Sequence, residues 1–327
     1  MNGSARSFPI RLITGMALNN KKIIILAGPT ASGKTSLGIE LASHFHGEIV
    51  SADSVQIYRY MDIGSAKPTK DEQTRIFHHM IDIRDPDEDY SVGDYVRESR
   101  QIIESLLREN KVPFIIGGTG LYIRGLLGGL IDLPASDHDL RSRLFDIERE
   151  QGSDALFAML EKVDSASAAR IGSQNVSRLI RALEVFELTG RKMSDLIDAH
   201  FFRDRPYQAL FICISPTREV LYERIDNRVE NMLNMGLLEE VSNLRDRGYG
   251  RELKSMQSLG YRHAAMILDG ETDLNEATRQ MKRDTRHYAK RQLTWFRSEP
   301  DVNWFDPFSI SAIEVLVEHF LSTNCKD

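Results

Sequence analysis

The hydrophobic pattern of the chain alternates between short apolar runs and longer segments with helical spacing. The short runs are rich in β-branched residues, which is typical of buried strands. Strands are therefore predicted at residues 23–27, 48–54, 78–83, 112–116 and 207–214. Helical spacing follows the first strand, at Leu37, Ile39 and Leu41, and continues over residues 92–109. A strand, a helix and a second strand in this order predict a right-handed parallel βαβ unit.

The pattern changes between residues 136 and 205, where strand-like runs are absent. Amphipathic helical spacing occurs there at 140–147, 156–163 and 176–186. The candidate helix N-caps are Ser136, Ser153 and Asp164. The predicted organisation is a flexible tail at 1–20, an α/β core at 21–135 and 206–300, an all-helical insertion at 136–205, and a C-terminal tail with one helix at 301–327.

Composition excludes several classes of protein. Hydrophobic residues make up 41% and charged residues 28% of the 327 positions, as in ordinary globular enzymes. The net charge of −6 means that any binding to nucleic acid would need a local basic patch. Cys213 and Cys325 lack metal-ligand spacing, which predicts a reducing cytoplasm rather than a disulfide framework. No apolar run approaches the roughly 18 residues of a membrane span, and the N-terminus lacks the features of a signal peptide.

The turn after the first predicted strand carries the strongest chemical signal. It reads GPTASGKT and matches the phosphate-loop (P-loop) pattern G-x-x-x-x-G-K-[ST] at every required position. Such loops point backbone N–H groups at phosphate oxygens, while the lysine adds positive charge and the hydroxyl reaches a magnesium ion. The candidate phosphate-binding residues are Gly28, Pro29, Thr30, Ala31, Ser32, Gly33, Lys34 and Thr35. The predicted fold is an α/β P-loop NTPase-like core, with a parallel sheet flanked by helices, plus the all-helical insertion domain.

Two further groups follow strands at the same predicted edge of the sheet. Asp53 ends the second strand, and Thr119 lies in the glycine-rich turn 117–120 after the fourth. The carboxyl ends of parallel strands meet at one edge, where ligands bind in such folds, so both are candidate site residues. The alternatives are that Asp53 only closes a turn and that 117–120 is a plain strand-to-helix connection.

Basic residues form two patterns on predicted helices. Arg224 and Arg228 are four residues apart, and in phosphate-binding folds such a pair can close over the phosphates; the alternative, which the sequence alone slightly favours, is surface pairing with Glu223 or Glu230. Residues 279–297 are strongly basic with interleaved aromatic residues. Their helical spacing forms a stripe that fits contact with a nucleic-acid backbone, against the alternative of a solvated face. The stripe consists of Lys282, Arg283, Arg286 and Lys290.

These features leave two reaction classes open. One is a kinase-like phosphoryl transferase acting on ATP, and the other is a group transferase in which pyrophosphate is the leaving group. The loop would stabilise developing negative charge in both.

A family resemblance separates the two classes. The motifs are GPTASGKT (28–35), SADSVQIYRYM (51–61), DIGSAKP (62–68), HHMID (78–82), GGTGLY (117–122), RALEVFE (181–187), LGYR (259–262) and KRQLTWFR (290–297). In this order the sequence resembles the tRNA dimethylallyltransferases, also called tRNA isopentenyltransferases, from about residue 22 to 297. The resemblance implies transfer of a dimethylallyl group from dimethylallyl diphosphate to the exocyclic amine of the adenine 3′ to the anticodon, in tRNAs that read codons beginning with U. The alternatives are a nucleotide or small-molecule kinase and an isopentenyltransferase that acts on free AMP.

The resemblance also implies roles for the candidate residues. Lys34 and the loop N–H groups would hold the diphosphate, with Thr35 serving Mg²⁺, and Arg224 or Arg228 would assist the leaving group. Asp53 would be the general base, and Thr119 would form hydrogen bonds in the same channel. The implied tRNA contacts are Asp53, Ser54, Val55, Gln56, Thr119, Arg141, Gln174, Asn175, Val176, Ser177, Arg178, Gln257, Ser258, Leu259, Gly260, Tyr261 and Arg262, with Arg286 and Lys290 on the RNA backbone. The insertion would clamp the anticodon stem, and the expected enzyme is a cytoplasmic monomer without membrane contact.

Overall fold

The computed structural model describes residues 21–200 and 204–323. The predicted N-terminal tail at 1–20 lies outside these ranges, as does Cys325. Internal contacts divide the chain after Leu127 and again before Asp204 into two compact units. The sequence placed the start of the helical insertion near residue 136, whereas the contacts place it at Gly128.

The first unit contains one parallel sheet. Its strands are β1 Lys22–Ala27, β2 Gly47–Ala52, β3 His78–His79, β4 Val112–Gly117, β5 Gln208–Ile214 and β6 Val302–Phe305. They lie in the order β3-β2-β4-β1-β5-β6, and every neighbouring pair is parallel. The five side chains from Ile23 to Ala27 are fully buried, because β1 lies at the centre of the sheet.

The chain contains two groups of helices. One group flanks this sheet, and the other forms the second unit. They are α1 Lys34–His44, α2 Lys70–Arg75, α3 Val92–Arg108, α4 Gly120–Gly128, α5 His138–Gln151, α6 Ser153–Val163, α7 Ser165–Ile171, α8 Val176–Thr189, α9 Met193–His200, α10 Arg218–Asn234, α11 Leu237–Asp246, α12 Tyr261–Leu268, α13 Leu274–Arg297 and α14 Ile310–Ser322. Among the described residues, no helix combines the length and apolar character needed to cross a bilayer.

The second unit is built from α5 to α9 around its own apolar core. Leu144, Leu156, Leu160 and Leu179 are fully buried there. The caps predicted at Ser136 and Ser153 are wrong. The side chain of Asp137 accepts from the Leu140 N–H at 2.8 Å and caps α5, and α6 follows Gly152 without a side-chain cap. Asp164 is a cap, as predicted, and it begins α7.

Two parts of the sheet differ from the prediction. The third strand is limited to His78 and His79, although the apolar pattern extended to residue 83. At the opposite edge, β6 adds a parallel strand beside β5 within the segment predicted to hold only a helix. It has four residues and a mixed burial pattern, so it lacks the apolar run by which strands are recognised.

The register of the sheet determines where the site lies. Ala27 pairs with Gly117 on one side and with Cys213 on the other, and Ala52 also pairs with Gly117. The carboxyl ends of β1, β2 and β4 therefore meet at one edge. The turns that follow these strands carry the phosphate loop, Asp53 and Thr119, respectively.

Candidate active site

The phosphate loop occupies the turn between β1 and α1. Ala31 has φ 63° and Gly33 has φ 92°, so the backbone passes twice through the left-handed region. A non-glycine residue in that region is strained, as is common where backbone groups are arranged for ligands. The loop also packs tightly, since a Cβ on Gly28 would lie 2.7 Å from the Ile214 carbonyl oxygen. The Ser32 hydroxyl is buried without a hydrogen-bond partner in the described part of the chain.

Two residues from distant helices hold this loop in place. The Arg224 guanidinium on α10 donates to the Ser32 carbonyl oxygen at 3.1 Å. On α13, Gln292 accepts from the Thr30 N–H at 2.9 Å and donates to the Gly118 carbonyl oxygen at 2.9 Å. Gln292 thus connects the phosphate loop to the turn after β4. A Cβ on Gly118 would lie 2.2 Å from the Gln292 amide nitrogen, so the contact requires glycine.

Two cavities are lined by residues of the loop. The first, of about 330 Å³, is lined by Lys34, Thr35 and Asp53 among other residues. The second, of about 850 Å³, is lined by Ala31 and Gly33 of the loop together with Arg224. Lys34, Thr35 and Arg228 line both cavities, so these three residues lie where the two spaces meet.

Burial governs the charge of Lys34. It lowers the pKa of the lysine to about 8, and the nearby Asp53 carboxylate opposes that shift. Burial also lowers the pKa of Arg228, again opposed by Asp53. A lysine and an arginine thus face a single carboxylate, which is an environment suited to a multiply charged anion.

Asp53 follows β2 and lines the first cavity. Its Oδ1 accepts from the Val55 N–H at 2.9 Å and from the Gln56 N–H at 3.3 Å. Among the described residues, Oδ2 has no hydrogen-bond partner. The turn-closing role and the functional role considered above are therefore compatible, because they use different oxygens of one carboxylate.

Thr119 reaches the Asp53 turn rather than a cavity. Its hydroxyl accepts from the Ser54 N–H at 3.2 Å, and its own N–H donates to the Ala52 carbonyl oxygen at 3.1 Å. It is not among the residues that line the two cavities in the described structure. The structure therefore gives Thr119 the role of holding the turn that carries Asp53.

The alternative of surface pairing for Arg224 and Arg228 is wrong. Arg224 donates to the phosphate loop, and Arg228 donates to the Ser65 carbonyl oxygen at 3.4 Å. In the described structure neither forms an ion pair with Glu223 or Glu230. Both guanidinium groups line the cavities because this face of α10 lies against the loop.

Members of the segment 257–262 differ in their access to the first cavity. Gln257, Ser258, Leu259 and Arg262 line it, and Arg262 also pairs with Asp284 at 2.6 Å. The side chain of Tyr261 is fully buried, and its hydroxyl donates to Glu240 at 2.7 Å. The tRNA contact predicted for the Tyr261 side chain is therefore wrong, because this side chain belongs to the protein core.

The basic stripe on α13 is partly neutralised. Lys282 pairs with Glu230 and Arg286 with Asp226, because α10 and α13 pack side by side. Arg286 also lies over the Tyr222 ring, 5.1 Å from its centre. Lys290 is exposed, and it lines a separate cavity of about 270 Å³ together with Arg218 and Arg297. The stripe is therefore less positive than the sequence predicted.

The remaining predicted contacts lie in the second unit. Asn175 caps α8 by accepting from the Arg178 N–H at 3.3 Å, and Gln174, Ser177 and Arg178 are exposed around this helix start. Arg141 donates to both carboxylate oxygens of the fully buried Glu184, at 2.7 and 2.9 Å. Its guanidinium is thus fixed by an internal ion pair.

Comparisons with known proteins agree at the levels of family, relatives and structure. The profile described as IPP transferase matches residues 56–299, and the profile described as Isopentenyl transferase matches residues 21–85. The chain is 48% identical over 291 residues to tRNA dimethylallyltransferase 2 of Syntrophus aciditrophicus, covering 89% of this chain and 94% of that protein. It is 49% identical over 284 residues to the tRNA dimethylallyltransferase of Syntrophobacter fumaroxidans, covering 87% of this chain and 83% of that protein.

Solved structures give the same result. The tRNA isopentenylpyrophosphate transferase of Bacillus halodurans superimposes with a TM-score of 0.69 at 39% identity, covering 92% of this chain and 97% of that one. A eukaryotic dimethylallyltransferase acting on tRNA superimposes with a TM-score of 0.73 at 28% identity, covering 91% of this chain and 77% of that one.

Proposed function

This chain belongs to the IPP transferase family, and on that basis we propose that it transfers a dimethylallyl group from dimethylallyl diphosphate to tRNA. The acceptor is the exocyclic amine of the adenine 3′ to the anticodon, in tRNAs that read codons beginning with U. The observation that carries the proposal is that Lys34, Thr35 and Asp53 line one cavity of about 330 Å³. A diphosphate-binding loop and a proton acceptor are the two groups that this reaction requires.

The reaction forms one bond and breaks another at the same carbon. The adenine amine nitrogen bonds to the first carbon of the dimethylallyl group, while the bond from that carbon to the diphosphate oxygen breaks. The diphosphate leaves with the bonding electrons, and Lys34, Arg228 and the loop N–H groups stabilise its charge. Asp53 Oδ2 accepts the proton that the amine must lose. An aromatic amine is a weak nucleophile, so its alignment with the carbon is the other contribution of the site.

Magnesium fits the residues at the loop. Thr35 lines both cavities and supplies a hydroxyl oxygen, a ligand type that Mg²⁺ prefers. No group of three or more His, Cys, Asp or Glu residues in the described ranges could hold a metal ion. Thr35 would therefore share the ion with the diphosphate, whose charge the ion would partly neutralise.

The acceptor base must leave the stack of the anticodon loop to reach the cavity. A single-stranded loop makes this step less costly and exposes base edges. We assign contacts with that loop to residues 53–56 and to Gln257, Ser258 and Arg262, which line the first cavity. We assign contacts with the stem to Arg141 and residues 174–178. We also propose that the enzyme acts as a monomer in the cytoplasm.

The experiment combines unmodified tRNA with labelled dimethylallyl diphosphate and Mg²⁺. The expected result is label in the tRNA and release of diphosphate, with no product when ATP replaces the donor. AMP in place of tRNA serves as the second comparison. Transfer to AMP but not to tRNA would replace the proposal by a free-nucleotide transferase, and ADP formation from ATP would replace it by a kinase.

A further inference from the structure

The carboxylate of Glu240 on α11 binds three consecutive backbone N–H groups. Its Oε2 accepts from Asp62 at 3.1 Å and from Ile63 at 2.7 Å, and its Oε1 accepts from Gly64 at 3.1 Å. Oε1 also accepts from the buried Tyr261 hydroxyl at 2.7 Å. Successive N–H groups that converge on an anion form a concave backbone nest. Here the anion is supplied by the protein itself.

The segment fixed in this way, residues 62–66, carries carbonyl groups that reach the active site. The Ser65 carbonyl oxygen accepts from Arg228 at 3.4 Å, and the Ala66 carbonyl oxygen accepts from the Gln56 side chain at 3.2 Å. The Gln56 N–H in turn donates to Asp53 Oδ1. The segment therefore contacts Arg228 directly and reaches Asp53 through Gln56.

The segment lies outside the helices and strands and is closed as a turn by the Ala66 N–H, which donates to the Ile63 carbonyl oxygen at 3.0 Å. Ala66 has φ 46°, a left-handed conformation unfavourable for a non-glycine residue. A Cβ on Gly64 would lie 2.4 Å from the Tyr261 ring, so the chain passes directly over that ring. On the other side Lys67 donates to Asp62 and Asp82. Glu240 thus fixes the backbone of Asp62, Ile63 and Gly64 to α11.

We propose that Glu240 is a positioning residue for the transfer reaction, acting through residues 62–66 on Arg228 and Gln56. This inference rests on the proposed function, because the turnover that it concerns is the transfer of the dimethylallyl group to tRNA. The carboxylate touches no substrate. It acts because Arg228 needs a fixed carbonyl partner to hold its guanidinium towards the departing diphosphate.

The test uses Glu240→Gln, with Glu239→Gln as the matched control. The amide would place an N–H₂ group against backbone N–H donors, whereas Glu239 is an exposed neighbour on the same helix. For Glu240→Gln we expect kcat to fall on the order of 10- to 100-fold, with a smaller change in the KM for tRNA, because small displacements of aligned groups have effects of this size. Affinity for inorganic diphosphate, measured by calorimetry without tRNA, should fall as well.

Tyr261→Phe provides a second, milder variant. It removes one of the four donors to Glu240 and leaves the backbone bonds, so its kcat should lie between those of the wild type and Glu240→Gln. Turnover is expressed per folded molecule, with melting curves recorded for each variant. Wild-type kcat and diphosphate affinity in Glu240→Gln would overturn the proposal, as would a loss explained entirely by unfolded protein. Failure of the wild type to modify tRNA would instead refute the proposed function, and the calorimetric comparison would still report on Glu240.

Discussion

The hydroxyl of Thr119 accepts a hydrogen bond from the backbone N–H of Ser54 at 3.2 Å, joining the end of β4 to the turn that carries Asp53. Thr119→Val would leave that N–H without its acceptor. We expect a stability loss of about 1 kcal/mol and a lower kcat, because the turn would hold Asp53 less firmly. Chemical denaturation and steady-state kinetics measure both effects. Thr119→Ser keeps the hydroxyl and should restore them; equal defects in the valine and serine variants would contradict this explanation.

Asp53 is tested by Asp53→Asn, which keeps an acceptor oxygen for the Val55 and Gln56 N–H groups but cannot accept the proton. We expect turnover to fall by roughly 10²- to 10⁴-fold, the usual size of a general-base contribution. Affinity for tRNA, measured by filter binding, should remain close to that of the wild type. Full activity in this variant would refute the assignment of the base.

The lowered pKa of Lys34 predicts a pH dependence of diphosphate binding. Its pKa of about 8 means that the ammonium group loses its proton as the pH rises through this value, and attraction for the anion decreases. Affinity for diphosphate in the free enzyme should therefore decline above pH 8, and Lys34→Gln should lack that inflection. Calorimetric titrations between pH 6.5 and 9.5 provide the measurement.

The same shift has a consequence for stability without ligand. Because the folded-state pKa lies below the ordinary value of 10.5, the unfolded chain binds more protons between these two values. The contribution of Lys34 to the free energy of unfolding therefore rises with pH across that window. The difference in stability between wild type and Lys34→Gln should move in the same direction; a difference independent of pH would contradict the shifted pKa.

Gln292 is tested by Gln292→Met, which preserves length but leaves the Thr30 N–H and the Gly118 carbonyl oxygen unpaired. A loss of roughly 1–3 kcal/mol is expected for each buried group left unsatisfied. The melting temperature and the affinity for diphosphate should both decline. Gln280→Met is the control, because among the described residues that side chain bonds only to Glu276 on its own helix. Similar effects of the two substitutions would show that Gln292 has no special role at the loop.

The paired and exposed residues of the stripe predict different responses to salt. Lys290→Ala should reduce the slope of log affinity for tRNA against log salt by roughly 0.7 to 0.9, the value for one phosphate contact. Arg286→Ala should leave the slope nearly unchanged and lower stability, since its guanidinium already pairs with Asp226. The variant that combines Lys290→Ala with Arg286→Ala should bind all tRNAs more weakly than the wild type. An unchanged slope in the Lys290 variant would remove this stripe from the interface.

Local signals in the sequence were sufficient for much of this architecture. The α/β fold with a parallel sheet is confirmed, and its strands β1, β4 and β5 each contain an unbroken apolar run. The position of Asp53 beside the phosphate loop followed from the rule that parallel strands open onto one edge. Both inferences use information contained in a few adjacent residues.

The remaining features depend on contacts between distant parts of the chain. Gln292 contacts Thr30 across 262 positions, and Glu240 contacts Gly64 across 176. A glutamine within a basic helix and a glutamate among other acidic residues carry no local signal of burial or of partner. The ion pair that neutralises Arg286 could not be predicted from the sequence either, because it depends on how α10 packs against α13. The glutamine in KRQLTWFR was part of a recognised motif, so its position in that motif was the one available indication of its role.

The Gln292 bridge also has a consequence for biosynthesis. A nascent chain that has emerged only through residue 200 contains the entire GPTASGKT sequence, but the two side chains that secure its backbone, from α10 and α13, have not yet been made. The ribosome must therefore extend the chain through α13 before the cradle acquires its final form. A protein truncated before α13 would therefore retain the recognisable motif and lack the assembled anion site.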